Sequence, residues 1–272
     1  MLFSTPPLRH IAAAVGFLAA GAVSAPASAD PSEALDRMSI SVGDYIVNPT
    51  TSLSVNTPYG AANSGDVSSH EIHIPRLKAD FLLGNSQGFA LDYYGFYRKY
   101  SDTFNRSFSS GPADVTLTGN ANGYAGLDLA NASYKWWFGE GADVFGVGVG
   151  AAYYRVRFGV DGTATSNIDN APRSGSASYS EDTVAPLVQL GWRHAFSPST
   201  RLYADISGIE KLGGNLSGHI YNAAIGAEWY FMKNLGVGAE YSATRIQING
   251  EGNNQHLSLN MDGPTIFLKA RF

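Results

Sequence analysis

The sequence predicts an all-β fold, a single antiparallel up-and-down transmembrane β-barrel. Three observations predict it. The last nine residues, 264–272, alternate with a period of two, so that Ile266 and Leu268 share an apolar face opposite Lys269. Segments with the same period recur along the whole chain. The connections between them are alternately short and long, which is the plan of a barrel whose short turns all lie on one side of a membrane.

A targeting segment precedes the predicted barrel. Arg9 stands before the apolar run 11–23, and residues 27–29 (Ala-Ser-Ala) supply an Ala-x-Ala cleavage site. We therefore interpret 1–29 as a cleaved secretory signal peptide and 30–272 as the barrel. Cleavage removes Arg9 and no acidic residue, so the net charge changes from -5 to -6.

Five of the predicted strands lie in the first half of the chain. The first strand alternates around Ile40 and Val42 but is irregular. In the fifth strand we place the bulky Phe145 and Val147 toward lipid, because Gly146 on the opposite face relieves a crowded interior. The predicted strands are 38–47, 71–83, 89–104, 124–138 and 144–160, with short turns at 84–88 and 139–143 and long polar loops at 48–70, 105–123 and 161–179.

Five more strands follow with the same alternation. In the eighth, for example, Ile225 and Trp229 share a face opposite Glu228. The prediction is thus ten strands, within a range of eight to twelve because of the irregular first strand. These later strands are 184–193, 202–207, 221–231, 235–242 and a tenth that ends at 272, with short turns at 197–200 and 232–234 and loops near 210–217 and 249–255.

Aromatic residues gather at two levels of the predicted strands. The two levels are about ten residues apart, the spacing that a tilted strand needs to cross the hydrocarbon layer. The first set, next to the short turns, is Phe89, Trp136, Phe138, Phe196, Trp229, Tyr230, Phe231 and Phe272, and the second, toward the long loops, is Tyr97, Tyr100, Tyr153, Tyr179 and Tyr221.

With these features, the chain resembles the Gram-negative outer-membrane β-barrel superfamily. The resemblance rests on the cleavage site, the alternating strands, the aromatic girdles and the terminal run 266–272 (Ile-Phe-Leu-Lys-Ala-Arg-Phe). It implies location in the cell outer membrane, contact with outer-membrane lipid and lipopolysaccharide, and recognition of the last strand by the outer-membrane assembly machinery through Phe272. Shared architecture within this superfamily says little about activity.

Charged residues on the faces that we place inward nearly balance, with seven bases against five acids. A barrel of about ten strands has a narrow interior that side chains fill, whereas open channels need roughly 16 strands. Buried charges are retained only where they are paired. We therefore predict a structural ion-pair network in the lumen; the alternative is a narrow ion-selective path. The predicted members are Arg76, Lys78, Asp80, Asp92, Arg98, Lys135, Arg193, Asp205, Glu228, Glu240, Lys269 and Arg271.

The sequence shows no motif for a catalytic, metal or cofactor site. It has neither the Asp-His pairing that omptin-like proteases use at the outer rim nor the His-x-Ser-Asn run of lipid A deacylases. His70 and His73 flank Glu71, but residues three apart on a strand point to opposite faces. The glycines of 146–150 lie inside a strand with no helix to hold a phosphate. The acidic net charge argues against nucleic acid as a partner.

We expect a non-enzymatic integral outer-membrane protein with a structural or surface-interaction role carried by its polar external loops. Near the predicted outer rim, Arg155, Arg157 and Arg173 either pair with lipopolysaccharide phosphates or are solvated loop charges. Two alternatives stay open. One is a small porin-like channel for ions or small solutes, and the other is a barrel enzyme that hydrolyses lipid A or peptides.

Overall fold

The structure is a computed structural model that describes residues 31–57, 60–68, 71–110, 113–166, 171–211, 217–249 and 255–272. The predicted signal peptide, 1–29, lies outside these residues. A helical membrane span is not found among these residues.

The described residues form strands that hydrogen-bond into one sheet. The strands are β1 (Met38–Val47), β2 (Thr50–Thr57), β3 (Gly60–Ser68), β4 (Ile72–Leu83), β5 (Gln87–Ser110), β6 (Ala113–Phe138), β7 (Asp143–Ser166), β8 (Pro172–Ser197), β9 (Thr200–Lys211), β10 (Ser217–Tyr230), β11 (Leu235–Asn249) and β12 (Gln255–Arg271).

Ten of these strands close an antiparallel barrel, which confirms the predicted fold class and strand number. The wall runs from β1 through β4 to β12 in chain order, and β12 pairs back with β1, with Ile40 opposite Ala270. The two remaining strands, β2 and β3, form a hairpin beside the upper part of β12. In this hairpin β2 continues the path of β1, because β12 pairs with both strands in one register: Thr265 opposes Tyr45, and Asn260 opposes Thr50.

The predicted loops 48–70, 105–123 and 161–179 are wrong, because much of each is strand. β2 and β3 occupy the first of these regions, β5 and β6 extend through the second, and β7 and β8 through the third. Their Ser, Thr and Asn content suggested loops. A strand that extends beyond the membrane needs hydrogen-bonded neighbours, but it does not need a row of apolar side chains facing lipid. A polar composition is therefore compatible with tall hairpins.

The outward rows in the lower part of the barrel are apolar. Phe145, Val149, Ile225 and Leu268 are each exposed on the outer surface of the wall. Exposed apolar surface of this extent marks a membrane or partner interface. On the inner side, glycine leaves space for an aromatic ring. A Cβ atom added at Gly146 would come within 2.7 Å of the Trp137 ring, so a larger residue there would clash with it.

An apolar layer fills the upper part of the lumen. Its most deeply buried members include Ile74, Leu129 and Leu187. Every barrel strand contributes at least one side chain, so the layer crosses the whole lumen. Its buried members are Tyr45, Val47, Ile72, Ile74, Tyr94, Leu127, Leu129, Ala152, Tyr154, Val156, Ala185, Leu187, Ile209, Ile220, Ile246, Ile248, Leu259 and Met261.

Candidate functional site in the barrel interior

Below the apolar layer, Glu240 is the centre of a buried polar cluster. Its side chain is 0% exposed and accepts hydrogen bonds from Arg76 at 2.7 Å, from Lys78 at 2.5 Å and from the Tyr203 hydroxyl at 2.7 Å. Arg76 also makes a two-bond contact with Asp92, at 3.0 and 2.7 Å. Charge-assisted bonds of this kind are about twice as strong as neutral ones. The cluster therefore ties β4, β5, β9 and β11 together across the lumen.

A second ion pair lies beside this cluster. Arg193 donates to both carboxylate oxygens of Asp205, at 3.0 and 2.9 Å. Its guanidinium also lies over two aromatic rings, 4.9 Å from the centroid of Tyr203 and 5.2 Å from that of Trp137. Arginine in such a position gains both a paired charge and a cation–π contact.

At the short-turn end, the lumen is closed by residues 31–37, which we call the leader. Its Asp36 carboxylate is 6% exposed and accepts a hydrogen bond from Arg201 at 2.7 Å. Lys269 lies 3.3 Å away, and the Tyr230 hydroxyl oxygen lies 3.2 Å from the same carboxylate. Ala34 packs into a small apolar cluster beside Trp137. Sequence reasoning missed this contact, because one acidic residue before the first strand forms no recognisable pattern.

Lys269 also connects the leader to Glu228. The distance between its Nζ and Glu228 Oε1 is 2.8 Å, and the Tyr230 hydroxyl donates to Glu228 Oε2 at 2.8 Å. Arg271 stacks on the Tyr230 ring at 3.6 Å and lies 3.7 Å from Asp36. This end of the lumen is therefore held by charges from the leader, β9, β10 and β12.

The acid dependence of the leader follows from the environment of Asp36. Burial raises the pKa of its carboxyl, but the positive charges of Lys269 and Arg201 outweigh burial and hold the pKa below its ordinary value. A carboxyl of this kind adds stability that is present above its unfolded pKa, about 4, and is lost as the pH falls through the folded pKa. We therefore expect the leader to be released in acid, and a change in Trp137 fluorescence below about pH 4 would report the release.

The substitution Asp36→Asn should release the leader at neutral pH, because it removes the charge that holds Arg201 and Lys269. Trypsin would then cut after Arg37 and shorten the chain by a mass that mass spectrometry detects. The matched control is Glu33→Gln, since Glu33 lies in the same segment but is exposed. Equal cleavage of both variants would contradict the proposed role of Asp36.

Three of the predicted lumen residues form no ion pair within the described part of the chain. Arg98 lies above the network and donates to the Glu71 carbonyl at 3.4 Å. Lys135 is buried, and its amine lies 5.8 Å from the centroid of the Trp137 ring. Asp80 lines the interior near Lys135 without an ion pair in the described segments. The sequence analysis also missed three contributors that the geometry supplies, namely Asp36, Arg201 and Tyr203.

Two small cavities lined by described residues lie between the apolar layer and the leader. Their volumes are about 40 and 60 Å³, and Asp80, Lys135 and Arg193 line both. Each has room for a few water molecules. These cavities are pockets in a packed interior.

The outer rim carries charged residues on the outside of the wall. His73 contacts Asp44 at 2.5 Å, and both side chains are exposed. Arg157 pairs with Asp128 at 2.6 Å. Arg155 lies over the Tyr153 ring at 5.8 Å. Arg173 belongs to β8, and His70 lies outside the described residues. Among the described residues, no cluster of His, Asp and Glu is arranged to hold a metal ion.

The carboxyl terminus pairs with the start of the first strand. The Phe272 amide donates to the Met38 carbonyl at 2.8 Å, while the Phe272 ring is exposed. The assembly signal assigned to Phe272 stays a prediction.

Comparison with known proteins identifies the fold. No family model and no curated protein matches the chain. The outer membrane protease OmpT from Escherichia coli matches with a TM-score of 0.55 at 12% identity, covering 86% of this chain and 96% of that one. Ail, the attachment invasion locus protein of Yersinia pestis, matches with a TM-score of 0.31 at 12% identity, covering 85% and 97%. Neisserial surface protein A matches with a TM-score of 0.30 at 12% identity, covering 86% and 97%.

At these identities the likeness concerns the fold alone. The match to OmpT agrees with the closed antiparallel wall. The chain therefore has the β-barrel fold of Gram-negative outer-membrane proteins.

Proposed function

We propose that the protein is a closed, non-conducting barrel of the outer membrane that acts through its tall external hairpins, without enzymatic chemistry in its lumen. The apolar layer carries this proposal. Because every barrel strand contributes to it, an ion that crosses the lumen must lose its hydration among side chains such as Leu129 and Met261. Transfer of a charge into such surroundings is strongly unfavourable.

The lower lumen supports the same proposal. Its charges are held in pairs with good geometry, centred on Glu240, and the leader covers the opening below them. In a narrow barrel such pairs fill space and fix the register of the strands.

The external hairpins supply the surface for interaction. From Tyr97 to Ser110, β5 extends by about 40 Å along its own axis beyond the aromatic belt, since a strand rises about 3.3 Å per residue. Binding residues are commonly carried on extensions of a rigid scaffold. At the foot of these hairpins, Arg155 and Arg157 are at the level where lipopolysaccharide phosphates would lie.

Single-channel recording tests the proposal. The chain 30–272, refolded and inserted into planar bilayers, should show no steady conductance, while a general porin in the same bilayers conducts. Heat-modifiable migration on a gel establishes that the silent protein is folded. Steady conductance by the folded native barrel would contradict the proposal and support the small passive channel instead.

A further inference from the structure

The sheet β5–β8 has two free edges within the described part of the chain. The ladder between β4 and β5 ends at Arg76 opposite Tyr94, and the ladder between β8 and β9 ends at Leu187 opposite Ile209. Above these points, among the described strands, β5 pairs with β6 alone and β8 pairs with β7 alone. The upper parts of β5 and β8 therefore each present a row of backbone N–H and C=O groups to which another strand could pair.

A proline lies at the point where each of these ladders stops. Continuing the β4–β5 register would place Pro75 opposite Gly95, and continuing the β8–β9 register would place Pro186 opposite Glu210. Proline has no N–H to donate to a ladder, so it is found at the edges and ends of paired segments. The two prolines therefore mark the height at which each free edge begins.

The two free edges differ in how they are protected from further pairing. Proline blocks pairing at a free edge, and glycine weakens a strand. The free part of β8 contains Pro172, Gly175 and Pro186. The free part of β5 contains neither proline nor glycine from 96 to 110. The edge of β5 is therefore the one that is open to another strand.

The free part of β5 has a sequence that is complementary to itself. Alternate residues share one face of a strand, and on one face of β5 they are Tyr100, Asp102, Phe104, Arg106 and Phe108. When two copies pair antiparallel about Phe104, Asp102 of each copy lies opposite Arg106 of the other. In the same register Tyr100 lies opposite Phe108. Opposite charges and aromatic pairs that face each other across an antiparallel ladder stabilise it.

Neighbouring registers lack this complementarity. A shift of the centre by two residues places Asp102 opposite itself in one direction and Arg106 opposite itself in the other. Like charges that lie directly opposite destabilise a ladder. A shift by one residue places Asp102 opposite Phe104 or Phe108, so no ion pair forms. Pairing about Phe104 is therefore specified by the sequence of the edge.

The direction of β5 indicates where the second copy lies. β5 runs away from the membrane, so an antiparallel partner must run toward it and must come from an opposing membrane. Tyr97, in the aromatic belt, precedes Phe104 by seven residues, which is about 23 Å of strand in each copy. Ser110 would lie opposite Arg98, so the end of β5 in one copy reaches just above the belt of the other.

We infer that the free edge of β5 binds the same edge of a second copy of this chain and thereby joins two membranes. This inference rests on the proposed role of the external hairpins. The two facing strands would form one continuous sheet from two copies, with backbone hydrogen bonds supplying affinity and the paired side chains supplying the register. Many such contacts between two membranes act together, so a modest affinity for each pair suffices.

Vesicle clustering tests this inference by charge exchange. The refolded chain 30–272 in phosphatidylcholine vesicles should cluster them, as measured by dynamic light scattering. Asp102→Arg alone and Arg106→Asp alone should each need about tenfold more protein, because each places like charges opposite each other twice. Mixing vesicles that carry one variant with vesicles that carry the other should restore native clustering, since every charge is paired again.

The matched control reverses a charge on the same strand. Lys99 is exposed and would lie opposite Ser109, so Lys99→Glu should cluster vesicles like the native chain. Heat-modifiable migration on a gel establishes that each variant is folded, and digestion by external protease establishes that the hairpins face outward.

Cysteine cross-linking gives an independent readout, because the chain has no cysteine of its own. Phe104 lies opposite itself in the proposed register, so Phe104→Cys should form a disulfide-linked dimer on oxidation. The control is Ser107→Cys. Its two copies would lie six residues apart along the ladder, about 20 Å, and should not cross-link.

The outcomes decide the inference separately from the closed barrel. Absence of clustering by the native chain, or a mixture of variants no better than either alone, would overturn self-pairing and leave the edge to an extended segment of another protein. Equal cross-linking of the two cysteine variants would overturn the register. A silent barrel that fails to cluster vesicles would leave the closed barrel standing, whereas a conducting barrel that clusters them would overturn only the closed barrel.

Discussion

Replacement of Glu240 by glutamine should lower the free energy of unfolding by about 3 to 5 kcal/mol. The reason is that Arg76 and Lys78 both place their charges on this carboxylate, which is fully buried. Glutamine keeps the shape but leaves the cations without their shared anion in a low-dielectric interior. Loss of one member of a buried ion pair costs far more than loss of an exposed one.

Urea unfolding followed by tryptophan fluorescence measures this effect. The matched control is Asp262→Asn, which removes an exposed carboxylate 3.5 Å from Arg245 and should change stability by about 0.5 kcal/mol or less. Combining Glu240→Gln with Lys78→Met should restore part of the loss, since Glu240 is the carboxylate partner of Lys78 among the described residues, whereas Arg76 keeps its contact with Asp92. A Glu240→Gln barrel as stable as the Asp262→Asn barrel would show that the cluster does not hold the strands together.

Opening the apolar layer should produce current only when the leader is released as well. Leu129, Leu187 and Met261 come from three strands and are almost completely buried. Their joint replacement by serine admits water to the layer, and each lost side chain costs roughly 2 to 5 kcal/mol of stability. We expect silence from this triple variant alone and from Asp36→Asn alone, and bursts of conductance from the combined variant, because the layer and the leader are barriers in series.

The control for the triple variant replaces three apolar side chains on the lipid-facing side of the wall by serine. Val149, Val188 and Leu268 are exposed outward, and their replacement by serine leaves the lumen unchanged. This control, combined with Asp36→Asn, should stay silent. A folded lumen variant that remains silent together with Asp36→Asn would contradict this account and would leave the ion pairs of the lower lumen as a barrier to ions.

The wall of the barrel was predictable because lipid imposes a strict rule on alternate residues. Outward positions such as Val147 and Ile225 must be apolar, so a period of two appears in the sequence. Gly146 was equally informative, since a residue without a side chain among bulky neighbours indicates a crowded inner face. The strand number followed from these signals and from the alternation of turns.

The pairing inside the lumen was not predictable from the sequence. Arg76 and Glu240 are far apart in the chain, and their contact depends on the register of the intervening strands. The apolar layer was missed for a related reason: Leu187 lies on the inward face between the outward-facing Pro186 and Val188, so both faces of the strand are apolar there. Alternation then gives little contrast between the two faces, so the layer is visible only when all strands are assembled.

The contacts of Asp36 have a consequence for the order of folding. Asp36 precedes β1 by two residues, yet its partners Arg201 and Lys269 belong to strands near the other end of the chain. The leader therefore has no binding site until β9 and β12 have joined the sheet. Bringing together residues that are this far apart in the chain costs conformational entropy, and the contacts that offset this cost form late in folding. Docking of the leader is thus a late event, and a fluorophore attached to it would time the completion of the cylinder.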